Sequence, residues 1–149
     1  MKYFSIFAIA LAMILTAACS GPKEQTKEGG KYSDFETTKS GLKYKVIRKG
    51  IGDTPDPGDR VFVHYRGTLE DSTQFDTSYE RDKPFDFVVG QGNVIKGWDE
   101  GLQMMHKGAK WIFVIPPDLA YGSRRVGKIP SNSTLVFEVE LLDIKEKKK

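Results

Sequence analysis

Eighteen residues, Phe85 to Leu102 (FDFVVGQGNVIKGWDEGL), join a short apolar run, a glycine-rich turn and one large aromatic, Trp98. A glycine-hinged turn that delivers a tryptophan to a single spot suits the floor of an apolar pocket. More reactive side chains do not assemble into a competing site. His64 and His106 are the only histidines and Cys19 the only cysteine, so no intrachain disulfide, thiolate metal cage or histidine-rich metal site is expected. Gly122 to Ile129 (GSRRVGKI) nearly spells a phosphate-binding loop. Ile129, however, stands where a hydroxyl would hold Mg²⁺, and Pro130 blocks the helix that should follow. GQGNVIKG lacks the spacing and the surrounding βαβ unit of a dinucleotide fingerprint. No Ser-His-Asp set stands out, and His64 reads as a half-exposed strand residue rather than a catalyst. An enzyme built on this chain would work without a metal, a cofactor or conventional acid–base chemistry.

The elements that must position Trp98 follow from periodicity. Gly41 to Gly50 alternates as a strand, and Ile51 to Asp59 is rich in Gly, Pro and Asp and must turn. Arg60 to Leu69 is a strand with Val61, Val63 and Tyr65 on one face and Phe62 and His64 on the other. Glu70 to Lys83 is polar and reads as a loop or irregular strand, followed by a strand carrying Phe85 and Phe87. Ile95, Trp98, Leu102 and Met105 recur at spacings of 3, 4 and 3, one face of a short helix. Gly97 and Gly101 should weaken that helix by about 1 kcal/mol each. Trp111 to Ile115 is a strand stopped by Pro116 and Pro117, Leu119 to Ser133 a long loop, and Thr134 to Ile144 the longest strand. Phe113, Leu135 and Val139 are expected in the core. Four or five antiparallel strands and one short helix give an α+β fold, a curved sheet wrapped around the helix.

The chain has 149 residues, one domain by length, and a net charge of +3, which gives no case for nucleic acid. Ile6 to Leu15 is an apolar run of ten residues behind Lys2. It is too short for a bilayer span and fits a secretory signal peptide, residues 1–18. Thr16, Ala17 and Ala18 then lead to Cys19 in the manner of a bacterial lipobox. Cys19 is therefore expected to carry a lipid anchor in the cell envelope, on the periplasmic or outer-surface side of a membrane; ordinary cleavage with an incidental thiol is the alternative. Residues 19–37 lack apolar periodicity and read as a flexible tether, and residues 146–149 as a solvated basic tail.

Four linked motifs identify a family for residues 38–145. VFVHYRGTLEDSTQFDTSYERDKPFDF, VIKGWDEGLQMM, IPPDLAYGS and LVFEVELLDI, in that order, resemble the FKBP-type peptidyl-prolyl cis–trans isomerases. The resemblance implies a five-stranded antiparallel half-barrel around one short helix, with the active site between helix and sheet. It places Trp98 at the pocket floor and Tyr65, Phe75, Phe85, Val94, Ile95 and Phe137 in its walls. It puts the Tyr121 hydroxyl at the rim, the Ile95 amide on a substrate carbonyl, Asp76 and Arg81 beside the bound prolyl carbonyl, and Ile129 in a covering loop. Asp76, Tyr121 and Ile95 are the groups expected to act on the amide. The implied partners are proline-containing polypeptides, with macrolide inhibitors as further ligands, and isomerase activity on exported proteins is the implied function. A non-catalytic chaperone using the same pocket is the alternative. The tether is too short for the dimerisation arm of some periplasmic relatives, so a monomer is expected. The loop after Tyr121 departs from the family: it is one residue shorter, with Lys128 where an apolar residue is frequent, Ser131 where a second proline is frequent, and Leu119 for a common tyrosine.

Overall fold

The structure, a computed structural model, describes residues 30–147. Cys19, the signal segment and most of the expected tether lie outside the described residues. Among the described residues seven strands, β1 (Glu36–Thr37), β2 (Lys43–Arg48), β3 (Arg60–Leu69), β4 (Gln74–Thr77), β5 (Phe85–Val88), β6 (Lys110–Ile115) and β7 (Leu135–Lys145), form one antiparallel sheet with a single α-helix, α1 (Lys96–Leu102). The order is β1-β2-β6-β7-β3-β4, with β5 also on β3. The count reconciles with the five strands expected. β5 pairs with Arg60 to Val63 and β4 with Arg66 to Thr68, so the two lie end to end along one edge of β3, while β7 takes the other edge. β1 adds a two-residue rank outside β2.

Alternation in β3 and β7 does what period two requires. Val61, Val63, Tyr65 and Gly67 are buried on one face of β3, and Leu135, Phe137, Val139 and Leu141 on the matching face of β7. Register sets Gly67 against Phe137 and Tyr65 against Val139, and across β6 it sets Phe113 against Phe137 and Trp111 against Val139. Each large apolar side chain fully withdrawn from water here contributes roughly 1.5–3 kcal/mol.

Helix α1 is seven residues long, too short to persist by itself. It is held by packing. A Cβ on Gly97 would stand 2.6 Å from Cγ2 of Ile115, and one on Gly101 would stand 2.7 Å from the Phe113 ring. The two glycines thus let the helix lie directly on β6. Their conformational cost is offset by contact that a side chain would prevent.

Four local expectations are corrected or sharpened. The helix stops at Leu102, and buried Met105 lies in the turn beyond it, with its amide on the Leu102 carbonyl at 3.2 Å. Glu70 to Lys83 contains β4 and a 3-10 turn at Tyr79–Arg81, because the segment must pair with the far half of β3. The last tether residues are structured: Glu36 and Thr37 pair with β2, Tyr44 donates to the Glu36 carboxylate at 2.7 Å, and Lys45 pairs with Asp34. The start of the basic tail is also tied down, since the Lys147 amide donates to Asp59 at 3.0 Å.

Candidate functional site

The fold brings three distant segments around the helix N-terminus. Asp99, in the first turn of α1, accepts the amides of Gly90 at 2.9 Å and Gly92 at 2.8 Å. Both glycines have positive φ (72° and 69°), a conformation that costs glycine little. This carboxylate fixes the turn after β5 against the helix, and so sets where Val94, Ile95 and Trp98 project. Ile95 is the helix N-cap, and its own N–H makes no hydrogen bond among the described residues.

Trp98 is only 4% exposed. Its ring meets Tyr65 edge-on at 5.0 Å and Phe137 at 5.2 Å, with Phe85 at 6.2 Å and Phe87 at 5.9 Å. Phe75 meets Phe137 edge-on at 5.4 Å. These are favoured aromatic geometries. They leave a concave site of about 430 Å³, within the usual range for small-ligand pockets. Tyr65, Phe75, Asp76, Phe85, Val94, Ile95, Trp98, Tyr121, Ile129 and Phe137 all line it.

Arg81 does not line the cavity but acts on two residues that do. Its guanidinium donates to Asp76 Oδ1 at 2.9 Å and to the Tyr65 hydroxyl at 2.7 Å, while the Tyr65 hydroxyl donates to Asp76 Oδ2. The Thr77 amide also donates to Asp76 at 2.8 Å. Burial pushes the Asp76 carboxyl up, but the Tyr65 and Arg81 hydrogen bonds outweigh it and hold the group below the usual carboxylate range. Burial, and then the Asp76 bond, push the Tyr65 phenol up to about 12. Near neutral pH the carboxylate stays ionised and the phenol stays protonated. The pair is an oriented dipole array rather than a proton relay.

Four further lining residues, Asn93, Val126, Gly127 and Lys128, were not assigned to the site from the sequence. Gly67 is a positioning residue also missed. A Cβ there would stand 2.7 Å from both the Phe75 and Phe137 rings, so the pair can form only over glycine. The available signal was a glycine inside an otherwise regular strand, which often marks close approach. Buried Ser78 is a second: its hydroxyl accepts the Tyr65 amide at 2.8 Å and lies 2.9 Å from His64 Nδ1. It anchors the turn that carries Arg81 to the strand that carries Tyr65. His64 is half-buried and stacks on Tyr79 at 4.8 Å, outside the cavity lining, as a strand residue would. Among the described residues no cluster suits a metal ion.

The family model for FKBP-type peptidyl-prolyl cis-trans isomerases matches residues 52–142. A probable FKBP-type peptidyl-prolyl cis-trans isomerase of Haemophilus influenzae is 46% identical over 96% of this chain and 62% of its own length. The peptidyl-prolyl cis-trans isomerase Fkbp12 of Drosophila melanogaster is 50% identical over 70% of this chain and 98% of its own. The crystal structure of FkpA from Escherichia coli superposes with a TM-score of 0.71 at 49% identity, covering 78% of this chain and 53% of that one. This chain therefore spans between about half and two thirds of the bacterial relatives it matches.

Proposed function

The chain belongs to the FKBP-type peptidyl-prolyl cis-trans isomerases, and from that premise we propose that it accelerates rotation about X–Pro bonds in its aromatic pocket. The observation that carries this reading is the pairing of an apolar floor, Trp98 under Tyr65 and Phe137, with an unspent donor, the Ile95 amide, at its edge.

The barrier to rotation, about 18–20 kcal/mol for peptide bonds, is the amide resonance lost on twisting. The planar amide is the more charge-separated form, so water stabilises it more than it stabilises the twisted form. Seating the proline ring on Trp98 removes part of that solvation. The Ile95 N–H then holds a neighbouring substrate carbonyl, and the Tyr121 hydroxyl supplies a second donor at the rim. The Asp76–Arg81–Tyr65 array, ionised and fixed, faces the prolyl carbonyl as it turns. Interactions that strengthen only in the twisted geometry lower the barrier, and each 1.36 kcal/mol, approximately, is tenfold in rate. No proton moves.

We further propose that the substrates are exported polypeptides and that a lipid on Cys19 anchors the enzyme in the cell envelope. Support comes from the apolar run Ile6 to Leu15, the small residues after it, and the cysteine that follows them. The deciding experiment follows cis–trans exchange of a Leu-Pro peptide by NMR with the full chain in detergent. Acceleration over the uncatalysed rate supports the enzyme. Binding of the peptide without acceleration would assign a non-catalytic chaperone instead.

A further inference from the structure

Arg124, Arg125 and Lys128 stand within five positions on the loop that walls the pocket. All three are exposed, and none of them makes an ion pair or a side-chain hydrogen bond among the described residues. Lys128 has a defined place. The Val126 amide donates to the Ile129 carbonyl at 3.0 Å and the Ile129 amide donates back at 2.8 Å, closing a hairpin whose tip is Gly127, at φ 53°, and Lys128. Ile129 is 5% exposed and anchors this hairpin in the core, and the Asn132 amide closes the base of the loop on Gly122 at 2.8 Å. Lys128, between them, lines the cavity.

The backbone amides of Val126 and Ile129 are spent on each other, so the loop does not cradle a phosphate despite its sequence. What remains is side-chain charge. Among the described residues Asp76 is the only carboxylate lining the cavity, and Arg81 pairs with it at 2.9 Å. Among the described residues the cavity lining is left with one cation that no carboxylate pairs, Lys128, and Arg124 and Arg125 stand four and three positions before it on the same loop.

Building on the isomerase reading above, we infer that this pocket selects prolines flanked by an acidic side chain. The chemistry is attraction between a substrate carboxylate beside the proline and the Lys128 ammonium. Two unit charges about 6 Å apart in water attract enough for a roughly threefold preference. Such exposed pairs are weak and salt-sensitive.

The test measures kcat/KM by NMR exchange, with the full chain in detergent, on matched peptides carrying Glu, Gln, Leu or Lys immediately before or immediately after proline. The expected result at low salt is Glu above Gln by about threefold at one of the two positions, with Lys below Gln there. The Glu/Gln ratio should fall toward one in 1 M NaCl, shrink in Lys128→Gln and invert in Lys128→Glu. The double variant Arg124→Gln/Arg125→Gln, which leaves Lys128 in place, should shrink it partway. Equal rates for Glu and Gln at both positions would overturn the inference, as would a ratio that survives both high salt and Lys128→Glu. Failure to accelerate any peptide, Leu-Pro included, is a different outcome: it removes the isomerase reading itself, and this inference with it.

Discussion

Gly97→Ala sets helix propensity against packing at the pocket floor. In an isolated helix the change gains about 1 kcal/mol. Here the new Cβ would stand 2.6 Å from Cγ2 of Ile115, with Cδ1 and Cγ1 at 3.0 and 3.1 Å. Carbon atoms rest at about 3.5–4.0 Å, so roughly 1 Å must be found. Ile115 cannot supply it, being fully buried and stiff at its branched Cβ. The helix must therefore lift from β6. Overpacking of this kind costs about 1–3 kcal/mol. Net of propensity we expect a loss of about 1 kcal/mol, a fall in Tm of roughly 4–8 °C for a domain near this size. Turnover should suffer more, because Ile95 and Trp98 flank Gly97 and a displacement of about 1 Å can cost up to 100-fold. The assay is thermal unfolding by circular dichroism beside Leu-Pro peptide exchange, completed as a cycle with Ile115→Ala. That change alone should cost about 2–5 kcal/mol. In the Gly97→Ala background it should cost at least about 1 kcal/mol less, since the vacated space accepts the new methyl. A higher Tm for Gly97→Ala, or strict additivity with unchanged turnover, would refute the claim that the glycine exists for close approach.

Other perturbations separate site from scaffold. Asp76→Asn removes the charge that Arg81 and Tyr65 hold; with a charged hydrogen bond at about 1.5–3 kcal/mol, turnover should fall roughly 10- to 100-fold while circular dichroism stays native. An unfolded variant would mean that the residue is structural. Asp76 has a lowered folded pKa, so its contribution to stability is present above its ordinary value of 3.8 and is lost as pH falls through the lowered one. Urea midpoints should drop below about pH 4 and drop less in Asp76→Asn; equal acid sensitivity in both proteins would contradict the assignment. Ser78→Ala leaves the buried Tyr65 amide without its hydroxyl partner and should cost about 1–3 kcal/mol in urea unfolding. Cys19→Ser should move the protein from the membrane to the soluble fraction, and continued retention in the membrane would exclude a lipid anchor at that residue.

Much of this molecule is legible in one dimension. Alternation in Arg60 to Leu69 and in the final strand fixed which side chains face inward, and burial follows it from Val61 to Gly67 and from Leu135 to Leu141. The aromatic set around Trp98 was readable because its motifs hold their order and spacing over about one hundred residues. Boundaries inside Glu70 to Lys83 were not. A four-residue strand has too little pattern of its own, and β4 exists because the far half of β3 offers it an edge.

Gly97 and Gly101 show the limit most clearly. Propensity reads them as defects in the helix that carries Trp98, and that is all local sequence can say. Whether a missing side chain is a cost or a requirement depends on what lies opposite. Only the packed structure places Ile115 and Phe113 there. The same holds for Lys128, whose charge is plain in the sequence but whose place at the pocket mouth depends on a hairpin anchored by Ile129. Sequence determined residue types, faces and order, because these follow from chain periodicity. Tertiary structure decided contacts and the direction of the site's electrostatics, because both depend on distances between segments that the chain brings together only on folding.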